Sequence, residues 1–274
     1  MKEALQEQQD QLHISHSQIF CYLACGLKYK FQYMEQRPKE RISLALPFGK
    51  AIHASIERYY RSLLDDRTIV SLDLMQTLFE ESLYMELDTA EVPILFKTEA
   101  PDTDSAIKMG QGLLKAFYEN IDLTGMEIVD VELPLSAPLY TEHGEKTDIN
   151  LVGVIDLLLR DADGNLLVVD NKTSKQKKSQ DAVDTDLQMT AYSYLLASNG
   201  YVFSRAEVAC RLDVLRKLKT PKLEHYFTSR TAVDRKRFAR IANGVLAGIE
   251  QRIFIPVKGW LCSDCSYADA CAKW

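Results

Sequence analysis

The stretch VVDNKTSK (168–175) begins as a buried β-strand would, then places Asp170 and Lys172 two positions apart. On a pleated strand that spacing points both side chains to one face. A second acid, Asp156, stands upstream of them across the hairpin signal DADG (161–164). Hard carboxylate oxygens from two strands can hold Mg²⁺ against a phosphate, and a neighbouring ammonium can steer or help deprotonate the attacking water. The chemistry such a set serves is metal-dependent phosphodiester hydrolysis. The blander reading is a solvated strand end, with Asp156 the partner of some arginine.

Loop length decides between them. A three-residue loop, Ala162–Gly164, with Gly164 taking the positive φ, makes paired residue numbers sum to 326. Asp156 then lies directly across from Asp170, and two opposed carboxylates need a cation between them. A two-residue Asp163–Gly164 loop would set Asp156 against Asn171 and separate the acids.

The elements that must position these residues can be read from periodicity. Ser15 or Ser17 caps a helix through QIFCYLACGLKYKFQYM. A second helix, FGKAIHASIERYYRSLLDD, carries Ile52, Ile56, Tyr59 and Leu63 at helical spacing. Two more are expected around 71–88 and 103–120. Then the period shortens: GMEIVDVELPL, INLVGVIDLLLR and NLLVVDNKT read as strands. One helix follows over DAVDTDLQMTAYSYLLASNG, ending near Gly200. A hairpin turning at Lys219–Lys222, a helix over about 231–253 and a cysteine-bearing tail complete the chain. This order implies an α/β fold, and no repeat, low-complexity tract or linker divides it. A single domain over 1–274 is expected.

Composition sets the outer bounds. The chain has 274 residues, enough for a sizeable core, and its 46% hydrophobic and 26% charged content is that of an ordinary globular protein. There is no run of 18 apolar residues to span a membrane, and MKEALQEQQDQLH lacks the apolar region of a signal peptide. A cytoplasmic location follows by default, where six cysteines serve as metal ligands or core rather than disulfides. A formal charge of −6 argues against a non-specific nucleic-acid coat while leaving room for a local basic groove.

GVIDLLL and LLVVDNKTSK followed by LQMTAYSYLL resemble the PD-(D/E)XK nuclease superfamily, in particular its RecB-like branch. That resemblance implies a restriction-endonuclease-like mixed central sheet flanked by helices. It also assigns roles: Asp156, Asp170 and Lys172 are catalytic, and Gln188 and Tyr192 form the Q-x-x-x-Y pair on the next helix, facing the site or DNA. The branch carries a histidine in a G-x-x-x-H context, matched by Gly49 and His53, which makes His53 a metal ligand with Asp156 and Asp170. Glu132 in DVELPL resembles the upstream acid, contacting the metal through water. The backbone carbonyl of Asn171, which replaces a commoner aromatic or apolar residue, resembles a further ligand. Without the other motifs, His53 would read as core, and Gln188 and Tyr192 as helix surface plus core.

The tail WLCSDCSYADACAKW supplies Cys262, Cys265 and Cys271, with no histidine nearby, so a fourth ligand must come from afar. SHSQIFCYLACGLKYKFQYM resembles the N-terminal stretch of iron–sulfur members of the same branch, including AddB and CRISPR-associated exonucleases, and the matching residue is Cys25. Gly26 stands where those members have Pro. Cys21, one turn earlier, is the rival ligand, and Cys210 reads as core. The cluster region is then 14–34 together with 254–274, holding a 4Fe-4S cluster, with zinc as the competing occupant.

The resemblance implies a Mg²⁺- or Mn²⁺-dependent exonuclease acting on DNA, single-stranded or with free ends, in repair, recombination or CRISPR adaptation, with protein partners in such a complex. The alternative is a nuclease fold whose catalysis has lapsed, left as a DNA-binding or scaffold module. Lys175, Lys177 and Lys178 read equally as backbone-tracking cations or as a solvated loop.

Overall fold

The structure, a computed structural model, describes residues 12–141 and 143–274; residues 1–11, on which the reading of the N-terminal segment mainly rests, lie outside them. Strand β1 (His13–Ser15) leads into α1 (His16–Ala24), α2 (Gly26–Tyr29) and a π-helical turn over Lys30–Met34. A short pair, β2 (Ile42–Ser43) with β3 (Ile94–Leu95), brackets α3 (Ala45–Asp65) and α4 (Leu72–Asp88), and α5 (Thr103–Asn120) follows. Next come β4 (Met126–Tyr140), β5 (Lys146–Asp161), β6 (Leu166–Ser174), α6 (Gln180–Asp184) and α7 (Leu187–Ser198). The chain closes with β7 (Val208–Arg216), β8 (Lys222–Arg230), α8 (Ala232–Glu250), a 3₁₀ turn over Trp260–Asp264 and α9 (Ala268–Ala272).

The main sheet runs β1-β5-β6-β7-β8, with β4 along the other edge of β5. It is mixed: β1 is parallel to β5 and β6 to β7, while the remaining pairs are antiparallel. Helices cover both faces. One core joins Ile19, Leu195 and Phe238 to Leu158 and Val168, and the other joins Ile52, Phe79 and Phe117 to Leu157 and Val169. Adjacent residues of one strand feeding opposite cores is what a two-residue period demands of a sheet buried on both sides.

Two expected helices are divided. The first breaks at Cys25, whose backbone is extended (φ −166°, ψ 105°). There Gly26 lies against the tail so closely that a Cβ would sit 3.0 Å from the Ile255 nitrogen, and the Leu27 amide donates to the Ile255 carbonyl at 3.3 Å. Glycine at this position is explained by that approach. Helix 181–200 breaks before Asp186, whose carboxylate accepts from the Gln188 and Met189 amides at 2.7 and 3.3 Å and so starts α7 afresh. Ser15, not Ser17, caps α1, in a reciprocal box with Gln18.

Candidate active site

Positive φ at Gly164 (87°) and pairing of the Asp161 amide with the Asn165 carbonyl close the β5–β6 hairpin in the register set by a three-residue loop. The pairs Leu157–Val169, Leu158–Val168, Leu159–Leu167 and Arg160–Leu166 all sum to 326. Asp156 and Asp170 would form the next pair, but the ladder stops one step short of them. On this edge of β5, β1 pairs only as far as Val152 and β6 only from Leu157, so the sheet splays between. Into the splay the Asn171 amide donates to Asp156 Oδ2 at 2.8 Å.

On the other edge of β5, Glu132 stands across from Asp156, between the pairs Val131–Leu157 and Leu133–Ile155. Glu132 has φ +49°, a left-handed backbone that costs a non-glycine residue on the order of 1–3 kcal/mol. The period-two alternation fails here. Val131 and Leu157 belong to one core, whereas Leu133 and Ile155 belong to the other. The sheet turns over at this pair.

Helix α3 brings the third group. Its Phe48, Ile52, Ile56 and Tyr59 are buried at helical spacing, while Gly49, His53 and Glu57, also four apart, line a cleft of about 640 Å³ with Glu132, Asp156 and Lys172. His53 Nδ1 is 3.4 Å from Asp156 Oδ2, and the imidazole also has a backbone hydrogen bond with Asn171. Ligand-capable atoms of His53, Glu132 and Asp156 all lie within 4.8 Å of one another. A Cβ at Gly49 would touch nothing within 4 Å, so glycine here leaves cleft space one turn from His53.

Asp170 sits deeper, fully buried. Its Oδ1 accepts from Lys172 Nζ at 2.9 Å and from Gln188 Nε2 at 2.9 Å. Its Oδ2 lies 2.8 Å from the same ammonium, so both oxygens face Lys172. Gln188 Nε2 also donates to the Tyr192 hydroxyl at 2.7 Å, so the Q-x-x-x-Y pair meets the site through Asp170. Asp170 is not among the three groups that converge within 4.8 Å.

Electrostatics follow from crowding acids in a buried place. Burial, then Asp156 and Glu57, push the Glu132 carboxyl up to about 8. Burial raises Asp170 to about 7, against the pull of Lys172. Burial outweighs Asp156 at His53 and lowers it, favouring the neutral, ligating form. Burial also opposes the Lys172 charge, but Asp170 and Asp156 prevail and its pKa is raised, so it stays an ammonium. Two carboxyls held above their usual range and a neutral imidazole are a donor set a hard divalent cation satisfies. His53, Glu132 and Asp156, with Asp170 behind them, fit such an ion.

The sign of the pH dependence follows. A carboxyl whose folded pKa lies above its unfolded value binds more protons when folded, so metal-free stability falls as pH rises between the two values. For Asp170 that window runs from 3.8 to about 7, and for Glu132 from 4.5 to about 8. Asp170→Asn is expected to raise the urea midpoint of metal-free protein at pH 8 and to lose that advantage near pH 4. An equal effect at both pH values would contradict the assignment.

Several residues near the site carry no motif. Glu57 is one turn after His53, a spacing visible in the sequence. His16, at the start of α1, is driven down to about 4 by burial, against the opposing charge of Asp186, and also feels Lys172. Nothing in its local sequence signals this.

The tail packs on α2. The Tyr267 ring packs tilted against Phe31 (5.9 Å between centres), the Glu40 amide donates to the Ser266 carbonyl at 2.9 Å, and the Glu40 carboxylate accepts from the Asp269 and Ala270 amides. Cys25 and Cys265 border the small core of Leu27, Phe31 and Tyr267. Burial, then Cys25, Cys265 and Cys262, raise the Cys271 thiol, so all four thiols share one neighbourhood; none is in a disulfide. Among the described residues no three thiols close to within 4.8 Å, whereas tetrahedral zinc holds its sulfurs about 3.8 Å apart. Cys21 is buried, and burial pushes it up to about 11; Cys210 is buried in β7.

A splayed mixed sheet thus gathers three acids, a lysine and a helix-borne histidine at one cleft. The PD-(D/E)XK nuclease superfamily pattern matches residues 13–272, and the chain belongs to that family. No curated protein matches the sequence. Similar solved structures include a candidate exonuclease from Eubacterium rectale, 11% identical, TM-score 0.53, covering 93% of this chain and 87% of that one. Another is SSO0001, 14% identical with a TM-score of 0.38, covering 90% and 94%. At such identities the first shows a shared fold. Among the described residues no helix is long and apolar enough to cross a membrane.

Proposed function

We propose that the protein is a Mg²⁺- or Mn²⁺-dependent DNA exonuclease of the RecB-like branch, cytoplasmic, preferring single strands or free ends and serving repair, recombination or CRISPR adaptation with protein partners. The observation that carries the reading is the convergence of His53, Glu132 and Asp156 beside the Asp170–Lys172 pair in one cleft. The cation would supply charge stabilisation at the scissile phosphate and a lowered pKa for the attacking water. His53 would contribute a neutral nitrogen, Asp156 and Asp170 would contribute oxygens, and the Asn171 carbonyl would be a further ligand. Glu132 acts through water. Lys172, kept protonated by Asp170, orients the nucleophile and faces the phosphate charge. Gln188 fixes Asp170, and Tyr192 fixes Gln188.

The whole chain works as one domain in this reading, with 14–34 and 254–274 holding a 4Fe-4S cluster on Cys25, Cys262, Cys265 and Cys271. Support comes from four free thiols of the two chain ends sharing one neighbourhood. A brown, iron-containing protein after anaerobic purification is the expected observation; a colourless zinc protein would contradict it.

The test of substrate choice compares labelled linear and circular single strands with linear duplex in Mn²⁺. Mononucleotides or short products from the linear strand, with the circle intact, are expected. Cutting of the circle at the same rate would overturn the requirement for ends.

A further inference from the structure

A second cleft, of about 690 Å³, adjoins the active-site cleft, and Ala45 and Thr173 line both. It lies where the parallel strands β6 and β7 end side by side, pinned by the Lys217 amide donating to the Ser174 carbonyl at 2.8 Å and by Arg216 Nη2 donating to the Lys175 carbonyl at 3.1 Å. Its walls carry Lys97, Lys175, Lys178 and Lys217 against two acids, Glu99 and Asp264. This is a local reversal of sign in a chain of formal charge −6.

The four lysines differ. Lys97 is paired with Asp264, and Lys175 lies 3.8 Å from Glu99. Lys217 and Lys178 have no acidic partner within 4 Å among the described residues. The Lys217 ammonium lies 4.3 Å from the centre of the buried Phe48 ring. Burial there pushes it down to about 8. Glu99, beyond ion-pair distance, offsets only part of that penalty, and a half-buried cation resting on a ring is one an incoming anion would satisfy.

The opposite wall is the tail. Trp260 lines the cleft with 82% of its surface exposed. It is not on a loose end: the Cys262 amide donates to the Gly259 carbonyl at 3.0 Å, Ser263 Oγ donates to the Trp260 carbonyl at 2.9 Å, and the Asp264–Lys97 pair ties the turn to the far wall. An exposed indole on a hydrogen-bonded turn beside a basic groove, continuous with the candidate active-site cleft, is an arrangement on which a base of a single strand can stack while cations follow its backbone.

Resting on the nuclease reading, we infer that the cysteine-bearing tail forms one wall of the substrate groove. Trp260 is the stacking platform for a base beyond the cleavage site, and Lys217 is the cation that meets an adjoining phosphate. The tail then acts directly on substrate, besides any part it takes in holding the fold.

The test uses the whole protein without divalent metal, so that nothing is cut, and a fluorescent oligothymidylate of about 16 nucleotides, the upper end of common site sizes. Binding is read by anisotropy. Trp260→Ala is expected to weaken Kd roughly 5- to 150-fold, the range of one lost base stack. Lys217→Gln is expected to flatten the plot of log K against log salt by about 0.7, the contribution of one phosphate contact on a single strand. Photo-crosslinking with iododeoxyuridine in the same oligonucleotide is expected to label Trp260. Wild-type affinity in Trp260→Ala, together with crosslinks only elsewhere, would overturn the inference; so would absence of binding. The nuclease reading is judged separately by cleavage in Mn²⁺. Stacking on Trp260 without cleavage leaves this inference standing and removes that reading, and cleavage with an indifferent Trp260 does the reverse.

Discussion

Asp170→Ala is expected to lower metal-dependent DNA cleavage by about a thousandfold or more, and Lys172→Ala to do nearly the same, in proteins that remain folded. Asp170 is the buried carboxylate between Lys172 and Gln188, accepting from both. Its removal frees both partners and subtracts the charge opposing the phosphate-facing ammonium. Lys172 has no neighbouring cation in the cleft able to replace it at Asp170; the other lysine lining that cleft, Lys50, is paired with Glu86 at 2.8 Å. The double variant is expected to be little worse than either single one, because residues acting as a unit lose their effect together. Circular dichroism and a denaturant midpoint check the fold. Rates near wild type in both single variants would remove the site assignment.

Cys25→Ala is expected to lose iron and to lower the melting temperature by roughly 10 °C, with activity reduced as a consequence. Almost the whole chain lies between Cys25 and Cys262. By analogy with a long-loop disulfide, joining them removes about 5 kcal/mol of unfolded-chain freedom before strain is counted, a large part of a stability of about 5–15 kcal/mol. Contacts such as Leu27 with Ile255 and Glu40 with the start of α9 already seat the tail, so the variant should still fold. Cys21→Ala and Cys210→Ala are expected to keep their iron, both thiols being buried and held in the protonated form. Full iron in Cys25→Ala, or equal melting temperatures with and without iron, would end the proposed role.

The hairpin was legible because Gly164 marks its loop, but a two- and a three-residue loop both fit the sequence, and the pairing of Leu157 with Val169 settles the register. Helix existence was legible in α3 from apolar spacing alone, and in α4 and α5, where Ser71 and Asp102 supply caps as well. What was not legible depends on distant contacts. The break at Cys25 exists because residues 254–255 press on Gly26. The reversal of faces at Glu132 and Asp156 defeats alternation on the strands that carry the acids, since no local residue type requires positive φ at a glutamate. Strand β1 is only three residues long and draws its partners from β5. Asp186 reads as one more polar residue in a helical run until its carboxylate is seen to cap α7 and its charge to bear on Asp170 and His16. Local rules fail at the site itself, where backbone strain and buried charge are retained for chemistry.

The central claim is that the cleft of His53, Glu132, Asp156, Asp170 and Lys172 hydrolyses DNA phosphodiesters with a divalent cation. The most direct measurement follows a 5′-labelled single strand incubated with the purified protein in Mn²⁺ and, in parallel, in excess chelator. Progressive shortening in Mn²⁺ that stops in chelator is the predicted result. An intact strand in Mn²⁺, or shortening that continues undiminished in chelator, would contradict it.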